Sequence, residues 1–265
     1  MAFKDPAQIT QAGVETGVTK ATLSPDKMFV GAFLAGAYIA FASLVAIAVS
    51  SGLDEKTWGT LPTLFTGFAF VLGLVLVVVA GSELLTGNMA LLPLAGFKGR
   101  INVGQILVNF AIVTVGNAAG AIFVAYFLGT ETGILTEAPL IDRLTDIATL
   151  KGVDESAWQI FLRGMGCNWL VCLAVWMALG AEDIGGKILA IFFPILAFVA
   201  IGFDHVVANM FFLPAAIFAD VPDLSWGDAL HNWLFAFAGN LVGAAIFVGG
   251  FYWYLYGRDD DEPGH

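Results

Sequence analysis

Charge is what this chain has least of. Only 12% of its 265 residues are Asp, Glu, Lys or Arg, about half the share found in soluble domains. Too few ionic groups are present to cover a water-facing surface. Basic residues are scarcer still, 11 against 22 acidic ones, so no basic stripe can follow a phosphate backbone and nucleic-acid binding is excluded. The two cysteines, Cys167 and Cys172, lie five positions apart in one apolar run and point to different helix faces. That argues against a disulfide between them and leaves two small buried hydrophobes. Three histidines, one of them terminal, offer no spacing that sets two ligands on one helix face, which argues against a haem or metal enzyme; no cofactor is expected. The first 27 residues lack the apolar stretch of a cleavable signal, so insertion is expected to begin with the first hydrophobic segment.

Apolar residues are plentiful, at 58%, and mean hydropathy is +0.84. The chain reads as an all-α integral membrane protein in a lipid bilayer, its 31 glycines letting helices approach closely. A crossing helix needs about 20 apolar residues. Lys27 to Asp54 encloses 26 uncharged residues, Lys56 to Glu83 another 26, and Arg100 to Glu131 encloses 30. Three more spans follow at Trp158 to Leu179, Ile188 to Ala219 and Ala229 to Gly257. With both termini cytoplasmic, seven basic residues fall inside (Lys4, Lys20, Lys27, Lys98, Arg100, Lys187, Arg258) and four outside (Lys56, Arg143, Lys151, Arg163), the bias that bacterial inner-membrane topology favours. Pro6 to Lys20 is expected as an amphipathic surface helix, and Asp259 to Glu262 as a solvated tail of a single channel domain spanning 1–265.

The halves repeat each other. Asn109 to Val124 aligns with Asn232 to Phe247 at an offset of 123, Gly116, Asn117 and Gly120 falling on Gly239, Asn240 and Gly243. Gly81, Glu83, Asn88 and Pro93 align with Gly202, Asp204, Asn209 and Pro214 at an offset of 121. Each repeat (about 28–130 and 158–257) holds three spans, an odd number, so the second copy crosses in the opposite sense, as in transporters and channels built from inverted repeats. Glu83, Thr86, Gly87 and Asn88 break the second span; Asp204, His205 and Asn209 break the fifth. Polar backbone at that depth is tolerated only inside protein or along a cavity, which marks the permeation path. Glu83 and Asp204 are expected foremost as acceptors for the exposed N–H groups at the breaks. His205, an intramembrane group that titrates near physiological pH, is expected to be functional.

These residues resemble the formate/nitrite transporter family. The similarity is carried by Gly81-Ser-Glu-Leu-Leu-Thr-Gly-Asn88, by Asn168-Trp-Leu-Val-Cys-Leu-Ala-Val-Trp176 and by Gly202-Phe-Asp-His-Val-Val-Ala-Asn-Met-Phe-Phe-Leu-Pro214, within residues 8 to 257. It implies an aquaporin-like protomer with its own pore, a homopentamer, and small monovalent anions such as formate, nitrite or hydrosulfide as cargo. By the same resemblance His205 matches the central pore histidine, Thr86 the threonine of the loop that interrupts the second span, Asn168 the fourth-span asparagine near the pore, and Phe70 and Phe198 one hydrophobic constriction. Leu74, Leu84, Leu85 and Val171 match the other, with Leu85 standing where many members have phenylalanine. Lys151 is the nearest match to the vestibule lysine.

The mechanism expected from this set begins with Lys151 and helix dipoles drawing the anion in. Desolvation then raises the anion's proton affinity, and His205 passes it a proton, donated or relayed from water, while Thr86 and Asn168 supply hydrogen bonds. An aquaporin-like facilitator of neutral solutes is the alternative. It would carry paired Asn-Pro-Ala boxes, where this chain has Asn88-Met-Ala and Asn209-Met-Phe.

Overall fold

The computed structural model describes residues 3–258, so the acidic tail lies outside the described residues. Ten helices carry the fold. They are α1 (Pro6–Ala21), α2 (Pro25–Ser50), α3 (Leu61–Gly81), α4 (Leu85–Phe97), α5 (Val103–Thr130), α6 (Leu140–Thr149), α7 (Ala157–Gly180), α8 (Ile184–Ile201), α9 (Val206–Phe218) and α10 (Trp226–Gly257). Six of these, α2, α3, α5, α7, α8 and α10, are long and apolar enough to cross a membrane. The fifth span starts at Ile184, four residues ahead of the expected Ile188, and ends at Ile201. The polar residues after it interrupt a run that the hydropathy pattern continues to Ala219. The 13-residue α4 and α9 are each about 20 Å long, short of the hydrocarbon thickness.

Local sequence sets the helix starts. Asp5 with Gln8, Asn102 with Gln105, Ser156 with Gln159 and Ser225 with Asp228 form reciprocal capping boxes on α1, α5, α7 and α10, each satisfying two backbone donors that a helix start leaves open. Asn102 and Ser225 are again 123 residues apart.

The packing obeys the twofold relation of the repeats, with α1 to α5 mapping onto α6 to α10. α2 packs on α3 and α5, and α7 packs correspondingly on α8 and α10, while α3 meets α8. α4 touches α1, α5, α7 and α10; its counterpart α9 touches α6, α10, α2 and α5. Glycines allow the closest crossings. A Cβ on Gly36 or Gly120 would run into the carbonyl oxygens of Asn117 and Phe33, and one on Gly239 or Gly243 into those of Phe161 and Met165.

The N-terminal segment is helical and amphipathic as expected, its polar face with Gln8, Gln11, Glu15 and Thr19 exposed. Its small face inserts into the bundle, Gly13 beside Leu94 and Trp176, and Gly17 on the Leu91 carbonyl. Ile9, Gly13, Val14 and Gly17 are buried. The physical reason is the glycine spacing, which gives α1 a flat side that Leu91 and Leu94 of α4 can fill.

Candidate functional site

Both breaks begin with the same backbone device. Gly81 and Gly202 each have φ +82°, a left-handed conformation that only glycine adopts without strain. The extended residues that follow end at Leu84 and His205, the N-cap positions of α4 and α9. The donors exposed there are taken up by two asparagines on neighbouring spans. Asn117 Oδ1 accepts from Leu85 N at 2.9 Å, and Asn240 Oδ1 from Val206 N at 2.9 Å. Their amide groups then donate to one carbonyl within the break and one on a neighbouring helix. Asn117 reaches Ala32 O (2.7 Å) and Glu83 O (2.9 Å), while Asn240 reaches Gly164 O and Asp204 O (2.8 Å each).

Glu83 and Asp204 therefore do not cap the breaks, contrary to the expectation from sequence. An asparagine supplies acceptor and donor at once, as a severed strand of backbone requires, and the carboxylates are left for cations. Glu83 Oε1 lies 2.8 Å from Lys20 Nζ, and its Oε2 accepts from Asn88, which also donates to Asn109 Oδ1. Asp204 Oδ1 lies 2.8 Å from Lys151 Nζ and accepts from Asn209, which also donates to Asn232 Oδ1. Asn109 and Asn232 close the two sets on the carbonyls of Lys20 and Lys151. Lys20, Asn109, Asn117, Asn232 and Asn240 were not singled out as site residues. The recurrence of asparagine at the 123-residue offset was the available signal for the last four, and Lys20 left none.

Lys151 sits in the wall of the mouth on the α6 side, where Leu150–Asp154 is wound as a π-helix, but it is 9% exposed and paired. It is not a free charge for an anion. The mouth opens into a cavity of about 930 Å³ lined by Lys151, Phe70, Phe198, Ala208, Asn209 and His205 among others. Phe70 and Phe198, expected as one constriction, meet there edge to face with centroids 5.8 Å apart. Behind them the ring of Phe198 lies 6.0 Å from that of His205.

His205 Nε2 is 2.9 Å from Thr86 Oγ1, joining the two breaks, and His205 Nδ1 accepts from Ala208 N at 3.1 Å. The Ala208 bond assigns the tautomer: Nδ1 is bare, Nε2 carries the proton, and Thr86 Oγ1 accepts it. Asn168 donates to Thr86 O (3.1 Å) and Asn240 O (2.9 Å). Both amide hydrogens are thus committed and brace Thr86, while Asn168 Oδ1 faces Cys172 Sγ at 3.5 Å. Leu74, Leu84, Leu85 and Val171, the second constriction expected from the resemblance, are all buried. Leu84 stands at the repeat position equivalent to His205, 121 residues away, so the twofold axis relates an imidazole to an isobutyl group.

Six apolar spans in inverted repeats, with two broken helices meeting at a buried imidazole below a cavity, define a membrane transport protein. The family model described as "Formate/nitrite transporter" matches residues 7–254, and the chain belongs to that family. It is 46% identical over 260 residues to the uncharacterized transporter YrhG of Bacillus subtilis (strain 168), covering 98% of this chain and 96% of that one. It is 44% identical over 256 residues to the formate channel BtFdhC of Bacillus thuringiensis, covering 97% of each. Among solved structures, one described as an FNT family ion channel superposes with TM-score 0.86 at 32% identity, over 93% of this chain and 98% of that one. A pentameric formate channel with formate bound superposes with TM-score 0.77 at 31% identity, over 88% and 97%. These relatives are channels and transporters, not enzymes.

Proposed function

We propose that this protein conducts small monovalent anions, formate, nitrite or hydrosulfide, across the cell's plasma membrane with both termini cytoplasmic. The whole chain acts as one channel unit, assembled as a homopentamer with a pore in each protomer. The likeness to a formate channel and to a pentameric formate-bound structure supports this reading. So do the exposed leucines Leu107 on α5 and Leu230 and Leu234 on α10, which offer apolar faces to lipid or to a sister protomer. The observation that carries the reading is the His205–Thr86 pair, one titratable and one hydroxyl group in contact where the cavity narrows past Phe70 and Phe198.

A bare anion entering such a passage loses hydration worth many kcal/mol, whereas the neutral acid does not. Between Phe70/Phe198 and the aliphatic residues beyond, the anion's proton affinity rises as water is stripped away. The Nε2–H of His205 is the donor at that point. Its proton is replaced at Nδ1 from water in the cavity, which requires the Ala208 N–H bond to open for the moment of transfer. The neutral acid then crosses Leu74, Leu84, Leu85 and Val171.

The direct test is purified oligomer in liposomes, with uptake of formate, nitrite and hydrosulfide compared over a pH series; failure to carry any of the three contradicts the reading. Size selection is expected to rest on the aromatic slit. Phe198→Ala is expected to fold, costing less than the roughly 3–5 kcal/mol of a core phenylalanine because its ring lines a cavity, and to raise lactate uptake relative to formate. An unchanged lactate-to-formate ratio would place selection elsewhere.

A further inference from the structure

The two mouths are built alike except for one addition. At the first, Glu83 satisfies Lys20 and Asn88 with its two oxygens. At the second, Asp204 gives Oδ1 to both Lys151 and Asn209, and its Oδ2 has no hydrogen-bond donor among the described residues. Glu155, two residues before α7, gives Oε1 to Arg163. Its Oε2 also lacks a donor, and its carboxyl group is a hydrogen-bonding neighbour of the Asp204 carboxyl. The Glu155 side chain is 2% exposed and that of Asp204 0%. Two acceptor-only groups held together out of water repel each other, and a single proton between them converts the contact into a short, charge-assisted hydrogen bond. The N-caps Ser24 and Ser156 of α2 and α7 are 132 residues apart, and at that offset Glu155 and Arg163 replace Leu23 and Gly31. They belong to the second mouth alone.

We propose that Glu155 and Asp204 bind one shared proton, and that this proton sets the field an entering anion meets at the second mouth. With the proton in place, Lys151 and Arg163 face one negative charge and the cluster is net positive; without it the cluster is neutral and its pull on anions is lost. The proposal rests on the anion reading above. Burial, and next the neighbouring Asp204, push Glu155 up to about 8, against the opposing influence of Lys151 and Arg163. The other titratable and charged groups nearby are Cys167 on α7, His205 in the break and Asp228 beside Gly152. Lys56, Asp142, Arg143, Asp146 and Asp154 line the wide mouth, where solvent screens them.

Glu155→Gln tests this, because a glutamine amide donates to Asp204 Oδ2 at every pH and so fixes the protonated arrangement. Formate exchange is measured in liposomes with the same pH on both faces, which removes orientation from the result, and the variant-to-wild-type ratio cancels the titration of formate itself. The ratio is expected to climb about tenfold between about pH 7 and pH 9, as a group titrating near 8 loses its proton in the wild type. A flat ratio from two transporting proteins overturns the proposal. Infrared titration of wild-type protein gives a second reading that needs neither variant nor transport. The carbonyl band of a protonated carboxyl is expected to disappear over that same interval, and its absence throughout also overturns the proposal. If wild type carries no formate, the anion reading fails while the infrared result still decides the proton site.

Discussion

Asn240→Ala is expected to leave almost no folded protein. The substitution strips the acceptor from Val206 N–H and the donor from the Asp204 carbonyl at the break, together with the tie to Gly164 O on the neighbouring helix α7. Each of the two groups orphaned at the break costs about 1–3 kcal/mol, and with the lost tie to α7 they consume a large share of the roughly 5–15 kcal/mol that holds a typical protein folded. Water cannot substitute freely at membrane depth. Asn240→Asp is expected to fare no better, since a carboxylate keeps the acceptor but turns a second oxygen toward two carbonyls. By the twofold relation Asn117→Ala orphans Leu85 N–H and the Glu83 carbonyl and cuts the tie to Ala32 O on α2, and is expected to match it. The yield of monodisperse oligomer in detergent and its thermal midpoint measure the effect. Wild-type values for Asn240→Ala would contradict the assignment of this side chain as the brace of the break.

Why sequence alone placed the breaks but not their braces follows from range. The interruptions of the second and fifth spans, and their equivalence, are visible because Gly81 and Gly202, Asn88 and Asn209, and Pro93 and Pro214 recur at one offset within apolar runs. What fills a broken helix end is a matter of contacts between distant segments. Asn117 lies 32 residues from the Leu85 amide it serves, and Asn240 lies 34 from Val206. The recurrence of both asparagines was on view, but nothing local separates a bracing asparagine from one that faces a pore. Lys20 was harder still, because a lysine near the end of a polar leading helix reads as a solvated charge until the fold sets it against Glu83, 63 positions on. Asn168 illustrates the converse. The family resemblance singles it out as a fourth-span asparagine near the pore, and only the geometry reveals that its amide hydrogens are spent on Thr86 O and Asn240 O. His205 and Thr86 were legible as residues, while their contact, which joins the two repeats across 119 positions, was not.

In the proposed mechanism His205 passes a proton to an anion held between two apolar constrictions, and His205→Asn isolates that step. Asparagine is among the best N-cap residues, so its side-chain oxygen can take over the Ala208 amide that His205 Nδ1 holds, and α9 keeps its start. What is lost is the titratable ring and the donor to Thr86 Oγ1. A structural role alone would show as lower stability with an unaltered response to protons. The decisive measurement is formate uptake into liposomes with and without an imposed proton gradient, for wild type and His205→Asn at matched oligomer density. Gradient-driven uptake is expected to fall by at least about tenfold, the low end of what a positioned acid–base group contributes, while a passive leak of anion persists. An undiminished gradient response in a correctly assembled variant would contradict the mechanism.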